Sequence, residues 1–202
     1  MPPTIQIKRY PITRYMETKE EILGLVARYI ERFPDQKEEA APLINFLHEH
    51  KGYDLINRKN FNGHITTSGF IVNENNDALL LLKHKFLGRW LQPGGHVDST
   101  DLTLMASALR EACEETGLFE HQLLAMSNSI FDIDSHQIPA NQKKEELAHV
   151  HHDLRFLFKC IDSATINISK EESTDSKWVP FSDLEEDQDF GNVVKKIQQL
   201  TA

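Results

Sequence analysis

Apolar residues recur at two different periods along this chain, and the change of period divides it near residue 60. Between residues 17 and 51 the period is helical. Ile22, Val26 and Ile30, with Leu25, Tyr29 and Phe33, form one apolar face. Thr18 followed by Glu21 is a capping-box pair, in which each side chain satisfies the other's backbone N–H. Pro34 stops this helix. Asp35 is then expected to cap a second one, with Ala41, Ile44 and Leu47 turned inward and Gly52 closing it. A hairpin of about 35 residues has too small a core to stand alone. It should pack on the main domain or on a second subunit, the latter making a homodimer. The expected division is an N-terminal arm and helical extension over 1–60 and a main domain over 61–202.

From residue 61 the pattern is that of strands. HITTSGFIV (64–72) is rich in β-branched residues and ends in the turn cluster Asn73–Asp77. ALLLLKHKF (78–86) reads as a buried returning strand, and GRWLQPGG (88–95) as a short strand running into a glycine turn. Residues 102–116 predict a helix and 123–134 a strand, with a polar loop over 135–148. VHHDLRFLFKCI (150–161) is the strongest strand pattern, Trp178–Pro180 a last short strand, and Phe190–Leu200 a closing helix. Strands that pair as hairpins and strands separated by helix together predict an α/β (α+β) fold, a mixed β-sheet covered by helices.

Composition narrows the partners. A net charge of −9 and a pI near 5.5 disfavour a nucleic-acid polymer or an anionic membrane surface. A small anionic substrate stays compatible if a dication stands between carboxylates and phosphates. The longest apolar run, Ala78–Leu82, is far too short to cross a bilayer. The opening MPPTIQIKRYPITRY has no signal-peptide core and reads as an extended arm. Two cysteines, Cys113 and Cys160, give neither a disulfide framework nor a four-ligand zinc site. The expectation is a reduced, soluble, cytoplasmic protein.

The chemistry concentrates in PGGHVDSTDLTLMASALREACEETGL, residues 93–118. Helical spacing places Leu102, Met105, Leu109, Ala112, Cys113 and Thr116 on one side, and Glu111, Glu114 and Glu115 together on the other. Three like charges so close repel one another, and Arg110, four residues before Glu114, offsets only part of that. A hard dication on that face would relieve the crowding, because magnesium prefers carboxylate oxygens and is commonly shared with substrate phosphates. The Gly94–Gly95 turn would let a backbone carbonyl approach the same ion. Gly117 suits the helix end. EACEE alone could be a solvated face; the whole succession of strand, Pro-Gly-Gly and Arg-Glu-x-x-Glu-Glu-x-Gly helix is far more specific.

These residues resemble the Nudix box. Gly95 matches its opening glycine, and Arg110, Glu111, Glu114, Glu115, Gly117 and Leu118 match its second half in register. The similarity extends to WLQPGG before the box and to ESTDSKWVPFSDL near the end, so it spans roughly residues 64–185. The resemblance implies a mixed sheet between helices, and hydrolysis of a diphosphate bond in a nucleoside diphosphate linked to another group, using magnesium or manganese. It implies that Glu111, Glu114 and Glu115 supply metal ligands and the general base. Arg110 would orient them, and a carbonyl of Gly94 or Gly95 would complete the metal shell. Two departures stand out. Asp101 occupies the place of a family glutamate, with one residue more than usual between it and Arg110, and Ala112 is a weak apolar position. For Asp101 the residues themselves suggest a helix N-cap. The PGGHVD opening resembles a Nudix subgroup with N-terminal helical extensions. Two other functions share such a fold. One is nucleotide sensing without cleavage. The other is isomerisation of a prenyl diphosphate, which needs a cysteine across the pocket, whereas Cys113 and Cys160 both read as apolar positions.

Outside the box, His149, His151, Asp153 and Arg155 alternate along one strand face, while Val150, Leu154, Phe156 and Phe158 face a core that must then include His152. His96, His149, His151 and Asp153 are the candidates for substrate contact or a further metal ligand, the alternative being a polar strand end; zinc is the less expected ion there, because no cysteine is nearby and His-x-His alone is a weak signal. Glu171 and Glu172 could complete the metal shell from a loop. Trp90 is a base-stacking candidate, although core packing is its simpler role, and Lys143 and Lys144 are candidates for phosphate contact.

Overall fold

The capping pattern at Thr18 is realised in space. In the computed structural model, which describes residues 17–142, 145–161 and 165–201, Glu21 N–H donates to Thr18 Oγ1 while Thr18 N–H donates to Glu21 Oε2. Helix α1 (Lys19–Arg32) follows, burying Ile22, Val26 and Tyr29. Pro34 then opens a short 3-10 turn over Pro34–Gln36, and α2 spans Lys37–Glu49. Asp35 does not cap α2. It lies inside the 3-10 turn, and the cap residue Gln36 makes no side-chain cap bond. The buried stripe of α2 is Ala40, Leu43, Phe46 and Leu47 rather than Ala41, Ile44 and Leu47, and Gly52 begins another 3-10 turn beyond the helix. The N-terminal arm and the pair Lys143 and Lys144 lie outside the described residues.

Among the described residues one mixed sheet forms the centre. Its strands are β1 (His64–Val72), β2 (Ala78–His84), β3 (Trp90–Leu91), β4 (Gly94–His96), β5 (Leu123–Ala125), β6 (Asp132–Ile138), β7 (His149–Cys160) and β8 (Ser173–Pro180). The main order is β3-β2-β1-β7-β5, with β4 paired to β1, β6 to β7 and β8 to β2. β1 and β7 run parallel along their length, His64 beside His151 and Val72 beside Lys159, and every other pairing is antiparallel. The Gly94–Gly95 pair is therefore strand, not turn: Gly94, Gly95 and His96 pair with Ser68, Thr67 and Thr66. The segment expected as one strand over 123–134 is two, and β6 takes the first residues of the expected 135–148 loop.

Helices cover both faces. On one, α1, α2 and α3 (Leu104–Thr116) pack with Ile65, Ile71, Leu154, Phe156 and Phe158. On the other, α5 (Gly191–Thr201), preceded by the short α4 (Phe181–Leu184), packs Val193, Val194 and Ile197 against Phe70, Val72, Leu79 and Leu157. The N-terminal hairpin thus packs on its own chain: His152 stacks on Phe46 at a ring distance of 4.6 Å. A polar clasp closes the β6 edge. Lys196 of α5 donates to Asp132 Oδ1 (2.6 Å), Tyr29 Oη (3.0 Å) and Gln36 Oε1 (3.0 Å), joining the C-terminal helix to α1.

Candidate active site

Helix α3 starts two residues later than the apolar pattern suggests. Thr103, not Asp101, is its N-cap, accepting from Ala106 N–H at 3.0 Å. Leu102 stands outside the helix, half exposed. Glu17 accepts from Leu104 N–H at 2.9 Å, so the N-terminal segment places a carboxylate on the positive end of this helix. At the other end Gly117 takes φ +70, and a Cβ there would meet the Asn167 carbonyl at 2.6 Å. The buried stripe is Leu104, Ser107, Ala108, Ala112, Glu115 and Thr116, while Met105, Leu109 and Cys113 are only partly covered. This rotation splits the three glutamates. Glu115 is buried and Glu111 nearly so, with 13% of its side chain exposed, whereas Glu114 keeps 60%.

The two inner carboxylates lie against β4. Gly94 N–H donates to Glu115 Oε1 at 2.8 Å. A Cβ on Gly95 would fall 2.7 Å from Glu111 Oε2, so only glycine leaves room for that carboxylate. Arg110 ties the cluster together. Its Nε and Nη2 fork onto both oxygens of Asp101 (3.0 and 2.9 Å), its Nη1 donates to Glu111 (2.9 Å) and Glu114 (3.2 Å), and Nη2 also reaches the His96 carbonyl (3.0 Å). Asp101 thus serves as a second anchor for the arginine that the helix carries.

Burial raises both inner carboxyls. Glu111 is pushed above the ordinary range by desolvation, against the opposing Arg110 hydrogen bond. Glu115 is pushed up to about 8, first by burial and then by the charges of Glu172, Glu111 and Glu114, with only the Gly94 hydrogen bond opposing. Asp101 feels burial too, yet the Arg110 guanidinium and the Asp98 segment hold it below its usual value. Crowded, desolvated oxygens beside a strand that only glycine allows so close are a donor set suited to a hard dication such as magnesium or manganese. Glu172, exposed, is near enough for its charge to act on Glu111 and Glu115.

The second group of sequence candidates divides. His96 and His151 come together, with His149 Nε2 3.1 Å from His151 Nε2. The histidine absent from the sequence candidates is His64, at the start of β1, whose ring is 4.7 Å from that of His151 and 5.2 Å from that of His96. A lone histidine opening a strand carries no local signal. Only the parallel β1–β7 register reveals it. Asp153 belongs elsewhere. Its oxygens accept from Thr66 Oγ1 (3.1 Å), Ser68 Oγ (2.6 Å) and Arg155 Nε (2.9 Å), a buried network that Asp132 and Asp134 extend through Arg155. Held by those protein donors, Asp153 ties β1 to β7 inside the buried network. Trp90 packs beside the core with Lys177 Nζ 4.3 Å and Lys83 Nζ 5.3 Å from its ring centre, so it is not an open stacking platform.

Comparison with known proteins identifies the fold and the family. The NUDIX domain profile matches residues 63–198. A probable DHNTP pyrophosphohydrolase from Lactococcus lactis subsp. cremoris (strain MG1363) is 30% identical over 125 residues, 62% of this chain and 70% of that protein. Two solved structures share the fold. A C. elegans Ap4A hydrolase superposes with a TM-score of 0.52 at 19% identity, covering 68% of this chain and 94% of its own. The E. coli dihydroneopterin triphosphate pyrophosphohydrolase gives 0.52 at 16% identity, covering 67% and 92%. Among the described residues no helix is long and apolar enough to cross a membrane. With the domain match spanning most of the sequence and the Arg110–glutamate cluster set against β4, the chain belongs to the Nudix family of hydrolases.

Proposed function

We propose that this Nudix pyrophosphohydrolase cleaves a diphosphate bond in a small nucleoside-diphosphate-like substrate, in the cytoplasm, with magnesium or manganese held by Glu111, Glu114, Glu115 and a carbonyl of Gly94 or Gly95. The observation that carries this reading is the placement of Glu111 and Glu115 against the glycine strand, with Arg110 anchoring Glu111 and Glu114. When bound, the dication would screen phosphate charge and lower the pKa of an attacking water. The chain's own residues do the rest. Arg110, fixed by Asp101 and the His96 carbonyl, holds Glu111 and Glu114 in one orientation. Gly94 N–H fixes Glu115 from the strand side, and the carboxylates take up the proton released on attack.

The substrate class is tested by incubating the full chain with magnesium or manganese and dihydroneopterin triphosphate, Ap4A or ADP-ribose, and identifying the products chromatographically. Turnover of at least one is expected. Glu114→Gln and Glu115→Gln should each lower it by more than about 100-fold, beyond the loss usual for an outer-shell partner, while leaving the circular dichroism unchanged. Full turnover in both variants would refute the assignment.

A further inference from the structure

The carboxylate site proposed above involves none of the imidazoles gathered on the other face of β4. Alternation along that strand is the reason they are separate. Gly95 turns toward α3 and Glu111, while Gly94 and His96 turn toward the face that carries Ser68, Thr66 and His64. On that face the β1–β7 register sets His64 beside His151, and the β1–β4 register brings His96 alongside. One ring nitrogen from each of His64, His96 and His151 lies within 4.8 Å of the other two. Three strands thus converge three imidazoles on one point.

The protonation pattern points the same way. His64 is fully buried, and its Nδ1 lies 3.4 Å from the Asn60 carbonyl, which can only accept, so Nδ1 carries the proton and Nε2 bears a lone pair. That Nε2 is buried and has no hydrogen-bond partner among the described residues. His149 repeats the pattern, with Nδ1 2.7 Å from the Leu147 carbonyl and Nε2 turned to His151. A ring N–H held by a backbone carbonyl while the other nitrogen points inward is how metal-bound histidines are usually oriented.

We propose that His64, His96 and His151 form a second cation site, selective for a borderline first-row dication such as zinc and distinct from the carboxylate site across β4. Nitrogen donors favour zinc, cobalt or nickel over magnesium. Three protein ligands leave a coordination position for water or a phosphate oxygen. His149, against His151, holds that ring from outside.

Cobalt tests the proposal directly, because its visible absorption reports the ligand field without reference to turnover. Metal-free full chain is titrated with Co²⁺ in the presence of excess magnesium, and Zn²⁺ is then used to displace it. One equivalent should bind with a nitrogen-ligand spectrum and be displaced by zinc. His96→Ala and His64→Ala should each weaken binding by roughly 100-fold or more, above the range for an outer-shell partner. The partly exposed His96 keeps the test meaningful if the His64 variant fails to fold. Glu111→Gln with Glu115→Gln should leave cobalt binding unchanged. Absence of stoichiometric binding, which would leave the cluster with water only, overturns the proposal. So does binding that survives both histidine substitutions or is lost with the glutamates. Because none of these readouts needs turnover, failure here and failure of the hydrolase reading are distinguishable.

Discussion

Replacing Glu115 with Gln should abolish turnover and, in the metal-free protein, raise stability above neutral pH. Glu115 is 7% exposed, and burial, more than the neighbouring charges of Glu172, Glu111 and Glu114, moves its carboxyl from 4.5 up to about 8. The folded chain therefore keeps a proton there at pH values where the unfolded chain has released it. Stability from this group is fully present below about 4.5, falls as the pH rises, and levels off beyond about 8. At about 1.36 kcal/mol per pH unit, the cost is roughly 3 kcal/mol at pH 7 and 4–5 kcal/mol at pH 9. Glutamine removes the charge and keeps an oxygen for Gly94 N–H, but its amide protons need partners in the same space, at a cost of about 1–3 kcal/mol. The expected net gain is on the order of 2 kcal/mol at pH 9. Urea unfolding with a chelator at pH 5 and pH 9 measures it. Wild type should lose stability between the two pH values by several kcal/mol more than the variant, a comparison in which the shared contribution of Glu111 cancels. Excess magnesium should restore wild type at pH 9 and leave the variant nearly unaffected. If the variant is no more stable than wild type at pH 9, and falls as steeply with pH, the buried-carboxylate reasoning fails.

The two glycines of β4 should separate function from folding. In Gly95→Ala the new methyl first meets the flexible Glu111 carboxylate at 2.7 Å, so unfolding should shift by less than about 1 kcal/mol while turnover falls more than about tenfold. In Gly94→Ala it meets backbone, the Thr67 carbonyl at 2.6 Å and Ser68 Cα at 2.7 Å, and denaturant melts should show a loss of about 3 kcal/mol. Arg110→Lys keeps the charge but loses the fork on Asp101; kcat should drop about 10- to 100-fold, and a change within twofold would show that the clamp is dispensable. Lys196→Ala should cost about 3 kcal/mol in urea unfolding, the lower end for a broken buried pair, because Asp132 retains Arg155.

Features written into adjacent residues were legible in the sequence, and features made by distant pairing were not. The Thr18–Glu21 cap, the breadth of β1 and β7 and the glutamate spacing of α3 are local, and the structure reproduces them. Pro-Gly-Gly reads locally as a turn, yet β1 overrides it: Gly69 N–H takes the Pro93 carbonyl at 2.9 Å, and the next three residues continue as strand. The face of α3 is rotated from the one its helical period predicts for the same reason. Helical period alone puts Leu102, Leu109 and Cys113 inside, but the strand it packs on is lined by Thr67 and Gly69, which accept a small Ser107 and Ala112 and draw the buried stripe around toward Glu115.

Asp101 shows how two departures from a family pattern answer each other. One residue more separates this acidic position from Arg110 than in the usual box, and its side chain is one methylene shorter than glutamate. The additional length is folded into the segment from Asp98 to Thr103, where Asp101 N–H donates to the Asp98 carbonyl at 3.0 Å and Asp98 N–H donates back to Asp101 Oδ2 at 2.8 Å. That reciprocal pair sets the aspartate against the helix, where both of its oxygens reach Arg110. The hydroxyl of Thr103 takes over the capping that an aspartate would otherwise supply. The carboxylate is thereby held for the guanidinium that orders Glu111 and Glu114, so the arginine clamp is kept by a different acid at a different spacing.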